Sequence, residues 1–542
     1  MHSIEVVLNM LLLVLASGYL VRLLPFAVPL PLVQIALGAG VAAVTRHAVD
    51  LNPEMFFLLF LPPLLFLDGW RIPKEGLFRD ARPILQLALG LVVFTVVGAG
   101  LLIYWLIPAM PLAVAFALAA IVSPTDPIAV SSIAARVPVP RRLMHILEGE
   151  ALLNDASGLV YFRFAVVAAM TGQFVPGSAA LTFLWLAAGG LAVGVLVTLG
   201  ISRGHARLTR RFGHDAGVPI LGSLLTPFAA YLAAEELGAS GILAAVAAGV
   251  TMSHVEFTGR ALAATRVQRA AVWDAVQFML NGIVFVLLGE QLPGILRGAA
   301  ATAEQSGHAS PWWLAGYALA INAGLIALRF VWVWATVRLT WRFGHARGTP
   351  LPSWRLVVVM TLAGVRGAIT LAGVLTLPFL LPDGRAFPAR DLAIFLAAAV
   401  ILISLLVAAF ALPRLLVGLQ VPAEAGAERE ETLARRAAAE AAVAAIDRAR
   451  HAMDGDAADS ELHARAAVRV LALYQQRLGE DTQVGTDAAR LRKADQAERQ
   501  LRLAALRAER DAIFALARRQ QISDDLARRL AHEIDLMEAR YT

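Results

Sequence analysis

The sequence predicts an all-α polytopic membrane protein. About thirteen transmembrane helices form inverted six-helix repeats with crossed discontinuous helices, followed by a C-terminal cytoplasmic helical domain. Three observations carry this. The 542 residues are 58% hydrophobic with a mean hydropathy of +0.66, beyond the range of an ordinary soluble chain. The loops between apolar windows are basic on alternate sides. Two of those windows, the fifth and the twelfth, are interrupted by helix-breaking residues around a polar group.

The apolar runs stop near Leu419, dividing the chain into a transmembrane domain, 1–420, and a cytoplasmic domain, 421–542. The tail holds 20 Lys and Arg against 22 Asp and Glu, a net of −2, which leaves the first 420 residues at +8. Basic residues in short loops explain a pI near 10 by topology and point to membrane lipid, not nucleic acid, as partner. The absence of cysteine excludes disulfides, Cys-based zinc sites and thiol catalysis. The segment 1–24 lacks a basic n-region and a small-residue cleavage site before polar sequence, so it reads as a permanent helix, not a signal peptide.

The thirteen apolar windows are 4–24, 26–44, 54–70, 84–107, 111–135, 143–170, 181–201, 218–235, 239–253, 271–291, 312–338, 356–377 and 392–415. Loops after odd-numbered windows, counted with Arg22 and Arg338 at the ends of their windows, carry 19 Arg and Lys; those after even-numbered windows carry 4. The positive-inside rule then puts the N-terminus outside and the tail in the cytoplasm, in a multi-pass protein of the cell inner (plasma) membrane.

Window five is broken by Pro124 and Pro127 in Ser123-Pro124-Thr125-Asp126-Pro127, and window twelve by Gly364, Gly367 and Gly373 around Arg366. Proline removes a backbone donor and glycine loosens the helix, so both are expected to unwind locally. If windows one to six and eight to thirteen are inverted repeats, five and twelve are equivalent, and paired discontinuous helices mark the binding site of secondary transporters. There is no arginine ladder of a voltage sensor and no repeated pore loop of a channel filter.

Window six places Glu150, Asn154 and Asp155 in an otherwise apolar run, where ionisable groups face a cavity, a partner or an ion. A partly buried carboxylate able to hold either a proton or a hard cation is the minimum an exchanger needs, and Asp155 suits that role. Asn154 can donate or accept but cannot titrate. Glu150, one turn earlier on the same face, is expected to pair with Arg366, the only arginine near the middle of window twelve. Thr125 offers oxygens to a cation such as Na+, and Asp68 could complete the shell. Asp126 is either part of the ion site or the cap of a half-helix, and Asp68 either a ligand or an interfacial residue. Glu148 is expected to face water or a neighbour, Arg163 and Arg329 to be counter-charges or snorkelling residues, and His145, His205, His214 and His254 to be solvated or structural.

Together, Glu150-x-x-x-Asn154-Asp155, Ser123-Pro124-Thr125-Asp126-Pro127, Leu61-Pro62-Pro63 followed by Asp68, and Gly364-Val365-Arg366-Gly367-Ala368 resemble the sodium/proton exchangers of the monovalent cation:proton antiporter family 1. The resemblance covers essentially the whole membrane domain, in order and spacing. It implies a homodimer in which a core domain moves against a dimerisation domain, with alternating access at Asp155. It also implies electroneutral one-for-one exchange, because Asn154 stands where electrogenic relatives have a second Asp. Two departures stand out. Ala151 replaces a serine that some relatives use at the ion site, so a ligand must come from water or backbone. Asn281, in Leu280-Asn281-Gly282-Ile283-Val284-Phe285, replaces an acidic residue of eukaryotic exchangers, which favours a bacterial subtype.

The resulting expectation is a secondary active antiporter, not an enzyme, without a cofactor. It exchanges Na+, with Li+ and K+ as alternatives, for H+ in support of pH homeostasis. A K+/H+ antiporter of the same fold is the nearest rival. A channel is disfavoured by the missing filter, and an intramembrane hydrolase using Asp126 and Asp155 by the missing Gly-x-Gly-Asp motif. The tail reads as four helices with loops near 454–459 and 479–486, without a nucleotide-binding glycine loop. Leu503, Leu506, Ile513 and Leu516 form a helical stripe that could pack on the membrane domain or its twin and regulate it.

Overall fold

Every one of the thirteen apolar windows contains helix in the computed structural model. It describes residues 2–23, 28–45, 53–71, 84–126, 130–131, 141–172, 176–212, 217–257, 263–298, 303, 310, 312–343, 353–417, 427–453, 467–471, 486–519, 521 and 524–538. The membrane unit comprises α1 (His2–Leu23), α2 (Leu30–Thr45), α3 (Pro53–Arg71), a π-helical segment (Gln86–Leu91) leading into α4 (Val92–Leu106), α5 (Leu112–Val122), α6 (Arg141–Thr171), α7 (Pro176–Phe212), α8 (Gly217–Glu236), α9 (Gly241–Phe257), α10 (Ala263–Arg297), α11 (Trp312–Phe343), α12 (Trp354–Leu362), α13 (Ala368–Leu375) and α14 (Arg390–Leu416). Eight of these helices are long and apolar enough to cross a membrane. Trp105, Trp312 and Trp354 lie exposed at helix ends, where amphipathic rings suit a bilayer interface.

The helices pack in two groups. One contains α1, α2, α3, α7, α8, α9 and α10; the other contains the π-helical segment with α4, α5, α6 and α11–α14. Small residues let the first group close up without a hydrophobic driving force between helices. A Cβ on Gly38 would lie 2.1 Å from the Val286 carbonyl oxygen, and one on Gly289 2.1 Å from that of Ile35, so α2 and α10 touch backbone to backbone. Gly69 and Gly249 do the same for α3 and α9, where a Cβ on Gly249 would stand 2.0 Å from the Phe66 oxygen. The groups meet along one seam, where α3 packs on α6 and α13, and α10 on α13 and α14.

Two helices lose their continuity at this seam. The first window stops as α5 at Val122, before Pro124; Pro127 lies outside the described residues. The second splits into α12 and α13 around the non-helical run 364–367. The breaks satisfy one another: the Asp126 amide donates to the Val365 carbonyl (2.7 Å), and Arg366 Nε donates to the Val122 carbonyl (2.9 Å). Backbone groups freed by unwinding at membrane depth must find such partners. The π-helical segment, which hydropathy does not signal, opens a carbonyl at Ala88 that accepts from Ser157 Oγ on α6 (3.0 Å).

The second compact unit, Gln420–Thr542, contains α15 (Ala427–Met453), α16 (Thr486–Arg518) and α17 (Asp524–Glu538), with a short helical piece at 467–471. The loop expected at 454–459 and nearly all of that at 479–486 lie outside the described residues. Helices α16 and α17 pack together, with Arg510 of α16 paired to Asp535 and Glu538 of α17. Of the expected stripe, Leu506 is buried, Leu503 and Ile513 are half-buried, and Leu516 is exposed.

Candidate functional site

At the seam, helix α6 carries Glu150, Asn154 and Asp155 at relative exposures of 1%, 1% and 7%, so the whole polar step of this helix is sealed from solvent. Glu150 is neutralised in place. Both its carboxylate oxygens are taken by the guanidinium of Arg329 on α11, with Arg329 Nη2 at 2.8 Å from Oε2, and Arg329 itself is buried. Arg329 Nε is held by the Met360 carbonyl (3.0 Å). The ion pair expected between Glu150 and Arg366 is therefore made with Arg329 instead.

Arg366 has another task. Its guanidinium donates to the carbonyls of Val122 and Gly364, and its amide to Ser404 Oγ (3.1 Å). Val122 ends α5 and Gly364 follows α12, so the cation sits at two helix C-termini, where the macrodipole is negative. An arginine in an unwound stretch meets unsatisfied carbonyls first; one in a continuous helix, such as Arg329, has only side-chain and distant partners.

The glycines flanking Arg366 make room on both sides. A Cβ on Gly364 would lie 2.7 Å from Arg329 Nε, and a Cβ on Gly367 would lie 1.7 Å from Asp126 Oδ2. Gly367 caps α13, so the Asp126 carboxylate rests where the positive end of that short helix begins.

Thr125 links the buried pair to the cavity. Asn154 Nδ2 donates to Thr125 Oγ1 (2.9 Å), and Thr125 Oγ1 donates to Glu150 Oε1 (3.3 Å). With its proton committed to Glu150 and one lone pair to Asn154, the hydroxyl keeps one lone pair free.

Thr125 also lines a cavity of about 40 Å³, room for a bare alkali cation and roughly two waters. Thr125, Asp126, Asp155 and Thr370 line it from one helix group, and Asp68, Gln277 and Asn281 from the other. Three carboxylates thus share a small space, and no Arg or Lys is among the described lining residues. The structure brings Asp68, Thr125, Asp126 and Asp155 together; Asn154 adjoins through Thr125, while Glu150 and Arg366 stand behind. Ala151 is buried and absent from the lining, and half-buried Glu148 is absent too. Arg163 pairs with Glu235 (3.3 Å) as a partly exposed counter-charge between α6 and α8.

Sequence reading overlooked Gln277 and Thr370. Both look like ordinary polar residues of amphipathic helices, and only the seam identifies them.

Residues 10–418 match the transmembrane sodium/hydrogen exchanger family. The chain belongs to that family. Its members are secondary transporters, not enzymes. Among sodium/hydrogen exchanger relatives, the Escherichia coli (strain K12) protein named uncharacterized Na(+)/H(+) exchanger YjcE is 43% identical over 540 residues, covering 98% of each chain. The Bacillus subtilis (strain 168) protein named sodium, potassium, lithium and rubidium/H(+) antiporter is 39% identical over 542 residues, covering 99% of this chain and 78% of that one. The structure of the sodium proton antiporter MjNhaP1 from Methanocaldococcus jannaschii shares the fold at a TM-score of 0.57 and 18% identity, over 77% of this chain and 99% of that one.

Proposed function

We propose that this exchanger is a secondary active antiporter that carries Na+ one way and H+ the other, one for one, by alternating access around Asp155. The observation that carries the reading is the cavity itself, where Asp155, Asp68 and Asp126 converge between two helix groups with no Arg or Lys among the described lining residues. Carboxylates gathered in a buried space are stabilised by taking up a proton or by a cation among their oxygens. Proton and cation therefore compete for the same oxygens, and each leaves as the other arrives. Glu150 is excluded from this competition by Arg329, and Asn154 cannot titrate.

Asp155 is the exchanging group, Thr125 and Asp68 are further cation ligands, and Asp126 helps hold the negative field at the N-terminus of α13. The group carrying Asp155 moves as a core against α1–α3 and α7–α10, which serve as the dimerisation side of a homodimer. Breaks in the fifth and twelfth windows that satisfy each other support inverted repeats. The bias of basic loops supports an N-terminus outside and a cytoplasmic tail in the inner membrane. The Bacillus subtilis relative's named range of cations favours a second reading, in which K+ and Li+ are carried as well.

Reconstituted protein tests both. Dequenching of a pH dye by Na+, Li+ and K+ in turn should show Na+-driven proton movement. A response to none of the three would end the proposal.

A further inference from the structure

The cavity has two carboxamides in its lining, both on α10, and they are not equivalent. Gln277 Oε1 is engaged, accepting from Arg71 Nη1 at 2.6 Å. Asn281 lies one turn deeper at 9% exposure, and its Oδ1 has no hydrogen-bond partner among the described residues. A buried carbonyl oxygen left unpaired carries a desolvation cost that native proteins tolerate mainly where a ligand or water completes the bond. Asn281 lines the same small space as three carboxylates, and a carboxamide oxygen is a hard, neutral ligand suited to hard cations.

We propose that Asn281 Oδ1 is a cation ligand of the exchanger, supplied by the helix group opposite Asp155, and that it sets affinity and selectivity without taking part in proton exchange. The inference rests on the assignment of the exchange site to Asp155. Backbone contact at Gly38 and Gly289 fixes α10 to α2, so Asn281 is held by the group against which the Asp155 side moves. The oxygen thus completes the ion's shell only while Asp155 faces α10.

Because a carboxamide does not titrate, its loss has a signature that loss of a carboxylate lacks. Removing Asp155 or Asp68 alters how protons compete with the ion; removing the Asn281 oxygen should weaken cation binding by the same factor at every pH. Asn281→Leu keeps the branched shape, with bulkier methyl groups, while deleting the oxygen. In proteoliposomes its apparent KM for Na+ should rise about tenfold, in parallel with wild type across the working pH range, with maximal rate largely kept. The rise should be larger for Li+ than for K+, since the smaller ion gives up more hydration to reach each ligand. Asn281→Asp keeps size and adds a titrating oxygen, so its KM should climb more steeply than wild type as pH falls. Asp155→Asn runs alongside: continued exchange there overturns the site assignment itself, whatever Asn281 does. With Asp155→Asn inactive, an Asn281→Leu protein whose KM is unchanged overturns the inference about Asn281 alone. So does a KM rise that vanishes at high pH. Should Asn281→Leu fail to elute as folded protein, Asn281→Asp decides, and a pH slope equal to wild type rejects the proposal.

Discussion

Glu150 and Arg329 are 179 residues apart in the chain, yet each carboxylate oxygen of one meets a guanidinium nitrogen of the other, with both side chains sealed from solvent. A pair of this kind is a poor source of net stability compared with apolar packing, but breaking it strands a charge. Its value here lies in position: it fixes the acceptor that orients the Thr125 hydroxyl.

Arg329→Ala and Glu150→Ala should each destabilise the protein by about 3–5 kcal/mol, read as a fall in melting temperature or in yield. Arg329→Lys should recover only part of that, because an ammonium cannot satisfy two oxygens and the Met360 carbonyl in one plane. Equal melting temperatures for wild type and all three variants would contradict the pairing.

Asp155→Asn should abolish cation-driven proton movement while leaving the protein folded, since it removes the titrating oxygen but preserves volume. Exchange in proteoliposomes together with a thermal melt checks both halves.

Gly367→Ala should cost exchange more than stability. The added methyl would occupy the space of Asp126 Oδ2, expelling a carboxylate from the cavity rim while leaving α12 and α13 intact. Gly364→Ala should do the reverse, pushing on Arg329 and lowering the melting temperature first. Comparing both readouts across the two variants separates these effects.

Proton and cation sharing one site are linked reciprocally. Below the site's apparent pKa, each unit fall in pH should raise the apparent KM for Na+ by up to about tenfold, because one proton must leave for each ion bound. At high pH the returning proton becomes scarce, so rate against pH should be bell-shaped. With one titrating group the cycle moves no net charge, and initial rates should be unchanged when the membrane potential is clamped at different values. Voltage dependence would implicate a second carboxylate, with Asp126 and Asp68 the first to test.

The tail makes a separate prediction. Ending the chain after Ala423 should shift the pH dependence or ion affinity of exchange if α15–α17 regulate it, whereas identical profiles would mark the tail as a passive solvated unit.

The spans, the breaks and the carboxylates could be read from the sequence because each violates a strong rule, whether of hydropathy, backbone donors or charge burial. Asp155 in an apolar helix and Pro124 in an apolar window are costly, and cost is legible. The partner of Glu150 was not, since distance along the chain says nothing about which of two buried arginines lies nearer. The unwound backbone at Gly364–Gly367 claimed Arg366, which follows only once the carbonyls of Val122 and Gly364 are seen side by side. Gln277 and Thr370 were equally silent, because a polar residue in an ordinary helical pattern violates nothing until its surroundings are known.

The crowding of three carboxylates in one small cavity bears on slippage. With three carboxylates and nothing positive in its described lining, the unloaded site is the form that low-dielectric surroundings penalise most. A core that shifts across the bilayer carrying bare negative charge would face a steep barrier, while one carrying a proton or a sodium ion would not. On the proposed site, empty return strokes would be suppressed, and what would otherwise be a leak for either ion would become a strict trade between them.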